Sequence, residues 1–185
     1  NASYVVTGNP VREAFFTADR KAVRKKMGLE GKICVLSFGG SLGARRVNEA
    51  MAELIAHNQN NPDIFHIHAT GAYGVELFPQ LLRQKGITNS KTNKNLDIRE
   101  YIYDMPECFA AADLIIGRSG ASTLSELEAA GKASILIPSP NVAENHQYHN
   151  AMTLVRKNAA VVIEEKDLTG ARLCSEFDQL CAEPE

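Results

Sequence analysis

Short runs of apolar residues alternate along the chain with longer stretches whose apolar positions recur every three or four residues. The short runs are rich in β-branched side chains, which is typical of strands, and the longer stretches have the period of helices. The predicted strands are residues 4–7, 33–38, 64–69, 96–102, 114–116, 134–138 and 160–163. The predicted helices are residues 44–57, 73–85, 105–111, 121–130 and 146–158. Strands that alternate with helices pair in parallel through right-handed crossovers.

Several predicted strands are apolar on consecutive positions, as in ICVLSF (33–38), LIIG (114–117) and ASILIP (133–138). Consecutive apolar residues are typical of a parallel sheet that helices cover on both faces. The sequence therefore predicts an α/β fold with a doubly wound, Rossmann-like parallel sheet. A length of 185 residues suits one domain, so we expect residues 1–185 to form a single unit.

The charge balance of the chain argues against one class of binding partner, nucleic acids. Lys and Arg number 20 and Asp and Glu number 22, which gives a formal net charge of −2. A dedicated nucleic-acid binder normally carries a basic stripe, so we expect no nucleic-acid partner. No apolar stretch approaches the roughly 18 residues that span a bilayer, and no signal-peptide profile opens the chain. We therefore expect a soluble, cytoplasmic protein.

The cysteines and histidines do not have the spacing of a metal or disulfide framework. Four cysteines without a CxxC pair predict reduced, structural thiols; they are Cys34, Cys108, Cys174 and Cys181. His146 and His149 stand three residues apart, but no third ligand has a fitting spacing, so we predict no metal site. His66 and His68 share one face of a predicted strand, where we expect them to be half-buried structural residues.

Ligands of an open parallel sheet bind beyond the carboxyl ends of its strands, and the first candidate segment there is GGSLGA (39–44). The glycines, Gly40 among them, permit a tight turn, the following helix start offers free N–H groups, and Ser41 adds a hydroxyl donor. A phosphate would fit this turn. The segment is neither GxGxxG nor GxxxxGK[ST], which disfavours nicotinamide cofactors and P-loop hydrolysis. The alternative is a plain strand-to-helix turn.

Three further segments follow predicted strands. TGNPVR (7–12) places Arg12, whose guanidinium suits phosphate oxygens, at the edge of the sheet, although a plain surface arginine is the alternative. GRSGASTLSE (117–126) contains Ser119 and leads into a helix with Glu126, a carboxylate suited to two vicinal ribose hydroxyls or simply to solvent. PSPNVAENHQYHN (138–150) supplies uncharged donors for sugar hydroxyls, including His146 and Gln147.

Five motifs in this order, TGNPVR, FGGSLGA, EYIYDM, RSGASTLSELEAAG and ENHQYHNA, resemble the MurG family of GT-B glycosyltransferases. The resemblance spans residues 4–164 and covers the C-terminal, donor-binding half of that family. It implies transfer of N-acetylglucosamine from UDP-N-acetylglucosamine to lipid I, which makes lipid II for peptidoglycan. We expect the N-terminal, acceptor-binding domain to lie outside this chain.

The resemblance also implies a role for residues around the nucleotide. Arg12 and Ser41, with the backbone amides at Gly40, would hold the diphosphate. Ile102 would meet the edge of the uracil through its backbone, with Met105 nearby.

Further residues would contact the ribose and the sugar. Glu126 would bind the ribose hydroxyls, and His146 and Gln147 would face the sugar. Asn150 would support their loop, and we count Ser119 among the donor-binding residues. Many family members carry Gln where this chain has His146.

The implied reaction is an inverting displacement in which the acceptor hydroxyl attacks the anomeric carbon and UDP leaves. The resemblance implies no metal and no cofactor. It places the general base on the N-terminal, acceptor-binding domain, so we expect the isolated C-terminal domain to be inactive. The full-length enzyme would be a peripheral protein at the cytoplasmic face of the bacterial inner membrane. Two alternatives stay open: a related GT-B transferase with another lipid acceptor, and a noncatalytic donor-binding subunit with a separate membrane partner.

Overall fold

A computed structural model describes residues 8–90 and 92–182, and the predicted strand at 4–7 lies outside these residues. The described elements alternate between strands and helices from β1 onward. In chain order they are α1 Ala14–Thr17, α2 Arg20–Met27, β1 Ile33–Phe38, α3 Arg45–His57, β2 Ile64–Ala69, α4 Leu77–Gln84, β3 Leu96–Arg99, α5 Met105–Ala111, β4 Leu114–Gly117, α6 Ala121–Ala130, β5 Ala133–Leu136, α7 His146–Val155, β6 Ala160–Val162 and α8 Gly170–Ala182.

The six described strands form one sheet in the order β3-β2-β1-β4-β5-β6, and every pair of neighbours is parallel. The chain builds outward from β1 to β3 and then returns to the other side of β1 with β4. The strand order therefore reverses between β1 and β4. This is the doubly wound sheet that the sequence predicts.

Two apolar clusters cover the two faces of the sheet. Alternate residues of β1 divide between them, with Cys34 and Leu36 on one side and Val35 on the other. The first cluster draws its helical residues from α1, α2, α5, α6 and α7, and the second draws them from α3, α4 and α8. Burial on both faces explains why the apolar residues of these strands are consecutive.

The structure differs from the predicted elements in several details. The third described strand ends at Arg99 rather than at residue 102, because its neighbour β2 ends at Ala69, the partner of Arg99. The helix predicted from residue 73 begins at Leu77, after a 3₁₀ turn. Helices α1, α2 and α8 are not among the predicted helices. In α2, Val23 is the one buried residue, and the other positions are mostly basic.

All four cysteines are free thiols, which confirms the prediction from their spacing. Burial raises the pKa of both Cys34 and Cys108 to about 12, so these two thiols stay protonated at neutral pH. Among the residues that the structure describes, no helix has the combined length and apolar character needed to cross a bilayer.

His66 and His68 are fully buried rather than half-buried, on the face of the sheet that α3 and α4 cover. Burial lowers the pKa of each imidazole to about 3, and for His68 the neighbouring His66 adds to the effect. Both histidines are therefore neutral in the folded protein, whereas an unfolded histidine titrates near pH 6.5.

We predict that the free energy of unfolding falls as the pH drops below about 6.5. The two histidines then bind protons in the unfolded chain, whereas they stay neutral when buried in the folded chain. Between pH 7.5 and pH 5.5 the free energy of unfolding should fall by about 1.4 kcal/mol for each buried histidine. Urea denaturation at the two pH values measures this difference. His66→Leu should remove about half of it, and His149→Gln, at an exposed position, should leave it unchanged. A wild-type protein equally stable at both pH values would contradict the prediction.

Candidate functional site

The reversal of strand order places a crevice beyond the carboxyl ends of β1 and β4. Parallel α/β sheets bind ligands at such a reversal because neighbouring loops leave in opposite directions. The loop after β1 contains Gly39, Gly40 and Gly43, and the loop after β4 contains Arg118 and Gly120. These are the first and third segments that the sequence singles out.

The loop after β1 has a backbone shape that requires glycine. Gly40 and Gly43 adopt φ angles of +93° and +84°, which L side chains rarely take, and the Gly43 amide donates to the Gly40 carbonyl at 3.0 Å. A Cβ on Gly43 would overlap the carbonyl oxygen of Thr70, so the loop also lies directly against the segment after β2. The glycines thus allow both the turn and a close backbone contact.

Two helix N-termini point into this crevice. Ala44 precedes α3 and Gly120 precedes α6, and neither residue has a side-chain oxygen that could cap the first-turn N–H groups. Uncapped N–H groups and the positive end of the helix dipole together favour an anion. The crevice therefore suits a phosphate.

Six predicted site residues line one cavity of about 620 Å³ in this crevice, which we call the Arg12 cleft. The six are Arg12, Gly40, Ser41, Ile102, Met105 and Glu126. They come from four separate segments of the chain, at residues 12, 40–41, 102–105 and 126, and the sheet brings them together. Tyr101 and Tyr103, which were not predicted from the sequence, line the same cleft with ring centroids 5.0 Å apart.

Arg12 and Glu126 set the charge of the Arg12 cleft. The Asn9 amide donates to the Ser125 hydroxyl at 3.3 Å and ties the segment that carries Arg12 to α6. The Arg12 guanidinium carbon lies 5.2 Å from the centre of the Phe15 ring. Burial raises the pKa of Glu126, and the charge of Arg12 opposes that rise. A cation and a carboxylate acceptor therefore face the same space.

A second cavity of about 550 Å³, the Arg118 cleft, adjoins the first and shares Phe38, Gly40 and Thr123 with it. Gln147 lines it, and the Gln147 Oε1 atom accepts a hydrogen bond from the Ser139 amide at 2.9 Å. The two clefts therefore lie side by side at the carboxyl edge of the sheet.

Arg118, which the sequence analysis did not select, is held firmly in the second cleft. Its guanidinium donates to the carbonyls of Ile137 at 3.2 Å and Pro138 at 3.1 Å and pairs with Glu165. The partners of this guanidinium could not be predicted from the sequence, because Glu165 lies 47 positions away along the chain. Only the folded chain shows this contact.

Three predicted residues line neither cleft. Ser119 is fully buried, and its hydroxyl donates to the Gln147 carbonyl at 3.0 Å. This hydrogen bond holds the first turn of α7 in place. His146 is exposed at the start of that helix, after two residues with positive φ. The Asn150 carbonyl accepts from the Thr153 hydroxyl at 2.7 Å. Their roles toward a sugar stay predictions.

The described residues contain no group of three or more His, Cys, Asp or Glu side chains arranged to hold a metal ion. Arginines and helix N-termini supply positive charge in the crevice. The Arg118 cleft is lined by Arg45 and Arg46 as well as by Arg118.

Comparison with known proteins identifies close relatives. A protein of Desulforamulus reducens named "UDP-N-acetylglucosamine--N-acetylmuramyl-(pentapeptide) pyrophosphoryl-undecaprenol N-acetylglucosamine transferase" is 44% identical over 169 residues, which are 91% of this chain and 45% of that protein. A protein of the same name from Acetivibrio thermocellus is 42% identical over 177 residues, with 95% and 46% covered. The chain spans about half the length of the curated relatives it matches.

Solved structures agree on the fold. The crystal structure of Acinetobacter baumannii MurG matches with a TM-score of 0.74 and 27% identity, over 96% of this chain and 49% of that chain. The C-terminal domain of the Francisella tularensis group 1 glycosyl transferase LpcC matches with a TM-score of 0.62 over 94% of this chain and 89% of that one. At 15% identity the second likeness concerns the fold alone.

The family model described as the glycosyltransferase family 28 C-terminal domain matches residues 34–185, which include most of β1, the glycine loop and α6. That range contains most of both clefts. The fold, a parallel sheet with a crevice at the strand reversal, and the sequence match support the same family assignment. The chain belongs to the glycosyltransferase family 28 C-terminal domain family.

Proposed function

We propose that this chain is the donor-binding domain of a transferase that moves N-acetylglucosamine from UDP-N-acetylglucosamine to lipid I, forming lipid II for peptidoglycan. The observation that carries the proposal is the convergence of six predicted donor-binding residues on the Arg12 cleft. The names of the relatives, which are N-acetylglucosamine transferases, support the donor and the acceptor. They also favour an enzyme over a noncatalytic subunit.

The diphosphate would bind where the two clefts meet. Gly40 lines both clefts, Ser41 lines the first, and the uncapped starts of α3 and α6 point there. Arg12 would supply a mobile positive charge from the opposite wall. Backbone amides, a hydroxyl and a guanidinium together can neutralise a diphosphate without a metal ion, and they stabilise the charge that grows on leaving UDP.

The nucleoside would occupy the rest of the Arg12 cleft. Ile102 lines this cleft, and its backbone would meet the edge of the uracil, while Met105 lines the same cleft. Glu126 would accept hydrogen bonds from the two ribose hydroxyls. The sugar would then extend into the Arg118 cleft toward Gln147, with His146 and Asn150 on the same helix α7.

The reaction follows from this arrangement. The acceptor hydroxyl attacks the anomeric carbon from the side opposite UDP, so the configuration at that carbon inverts. This domain would orient the donor and stabilise the leaving group, and the remainder of the full-length protein would supply the acceptor site and the general base. We further propose that the full-length protein works as a peripheral enzyme at the cytoplasmic face of the bacterial inner membrane.

We predict that the chain binds UDP-N-acetylglucosamine and UDP in calorimetry, with the same affinity in excess chelator, and gives negligible turnover in a transferase assay. Arg12→Ala should weaken UDP binding at least about tenfold, because a charge-assisted hydrogen bond is worth about 1.5–3 kcal/mol. Uridine, which has no phosphate, should lose much less affinity.

Arg83→Ala is the matched control for this experiment, since Arg83 is an exposed arginine on α4 outside both clefts. It should leave both affinities unchanged. Strict dependence of UDP binding on magnesium would contradict the metal-free diphosphate site. Full transferase activity of the isolated chain would contradict the division of labour between two domains.

We also predict that Glu126→Gln weakens both uridine and UDP about tenfold, because one oxygen that accepts from ribose becomes a donor amide. Wild-type protein should bind 2′-deoxy-UDP poorly, and the substitution should reduce that binding little further. The melting temperature without ligand should stay near that of the wild type. Calorimetry with the three ligands, beside a thermal melt, measures these effects.

Glu128→Gln provides the control on the same helix, because Glu128 is exposed and lies 3.7 Å from the Lys157 ammonium, away from the cleft. This variant should bind all three ligands as the wild type does. Equal discrimination between ribose and deoxyribose by wild type and Glu126→Gln would show that the nucleoside is held elsewhere.

A further inference from the structure

A chain of buried polar groups lies beneath the glycine loop, and we call it the buried relay. It consists of Ser37 at the end of β1, His68 at the end of β2, Asn48 in the second turn of α3, and the backbone carbonyl of Thr70. All four residues are at most 2% exposed. Because the apolar core surrounds them, each polar atom depends on its protein partner.

The hydrogen bonds of the relay have one self-consistent direction. The Asn48 Nδ2 atom donates to the Thr70 carbonyl at 3.0 Å, so the Asn48 Oδ1 atom faces His68 Nε2 at 3.1 Å and must accept from it. Neutral His68 therefore carries its proton on Nε2. Its Nδ1 atom then accepts from the Ser37 hydroxyl at 2.8 Å.

The Thr70 end of the relay touches the loop that would hold the diphosphate. The segment after Thr70 donates two backbone hydrogen bonds to that loop, from Ala72 to the Ser41 carbonyl at 3.3 Å and from Tyr73 to the Leu42 carbonyl at 3.0 Å. The Thr70 carbonyl also lies so close to Gly43 that a Cβ there would overlap it. A shift of Thr70 must therefore shift the glycine loop.

We propose that Asn48 and His68 are positioning residues that hold the glycine loop in its diphosphate-binding shape through Thr70. This inference rests on the proposed function, since it assigns the relay to the same donor site. Neither side chain lines the Arg12 cleft or the Arg118 cleft. They act through the backbone of Thr70, whose position sets where the Ser41 hydroxyl and the loop amides stand.

The structure contains a matched pair that serves as the control. His66 lies two residues before His68 on the same face of β2, and its Nε2 atom is 3.3 Å from the Nδ2 atom of buried Asn58. Asn58 follows the last turn of α3, at the opposite end of the helix from the glycine loop. Truncation of Asn58 removes a similar buried histidine–asparagine contact without reaching Thr70.

Calorimetry with UDP and with uridine separates positioning from general destabilisation. Asn48→Ala should weaken UDP about tenfold, because loss of its amide frees Thr70, while uridine binding should stay within about twofold of wild type. Asn58→Ala should leave both affinities unchanged even if it lowers the melting temperature. Ser37→Ala removes the far end of the relay and should weaken UDP by about threefold.

The outcomes distinguish this inference from the proposed function. A wild-type protein that binds neither UDP nor uridine overturns both. If the wild type binds UDP and Asn48→Ala binds it equally well, or loses UDP and uridine alike, the positioning role alone is overturned. An equal loss of UDP in Asn58→Ala also overturns it. Should Asn48→Ala fail to fold, Ser37→Ala decides, because unchanged UDP affinity in that variant contradicts the relay.

Discussion

The parallel pairing of β1 with both β2 and β4 is the constraint on which the rest of the molecule depends. Asp113 fixes the pairing of β1 with β4 at the amino ends of these two strands, where its carboxylate accepts from the Cys34 amide at 2.7 Å and from Arg24 at 2.9 Å. Burial alone would raise the pKa of Asp113, but these donors and Arg20 lower it on balance, so the carboxylate is charged at neutral pH. Because the amino ends of β1 and β4 are aligned, their carboxyl ends lie side by side. The loops after these two strands leave in opposite directions, and the crevice lies between them.

A close backbone contact turns this crevice into a site with a defined shape. A Cβ on Gly71 would overlap the backbone of Gly43, and a Cβ on Gly43 would overlap the carbonyl oxygen of Thr70. This close contact ties the loop after β1 to the segment after β2. The loop can then present amides and the Ser41 hydroxyl while the starts of α3 and α6 add positive potential. Strand order thus determines where the site lies, and glycine packing determines its form.

The strands and the glycine loop could be predicted because their signals are local. Runs of consecutive apolar residues and the φ freedom of Gly40 and Gly43 are visible in the sequence. The convergence of Arg12 with Glu126, 114 positions later, was predicted from motif order and not from any local signal. Full burial of His68 could not be predicted, because its partners come from β1 and α3 and no pattern within β2 reveals them. The burial and the hydrogen-bond partners of such a side chain are set by tertiary contacts, which the local periodicity of the sequence does not reveal.

Two arginines of the crevice differ in what they are free to do, and the difference follows from their partners. The Arg118 guanidinium is occupied by two carbonyls and by Glu165, so its charge is largely neutralised and its position is fixed. Arg12 is exposed, and no ion pair joins it to another described residue, while its side chain rests against the Phe15 ring. A guanidinium that is exposed and unpaired can move to an incoming anion, and it can follow the charge that develops on a departing diphosphate. Arg118 shapes the wall of its cleft, whereas Arg12 is a cation without an ion-pair partner among the described residues.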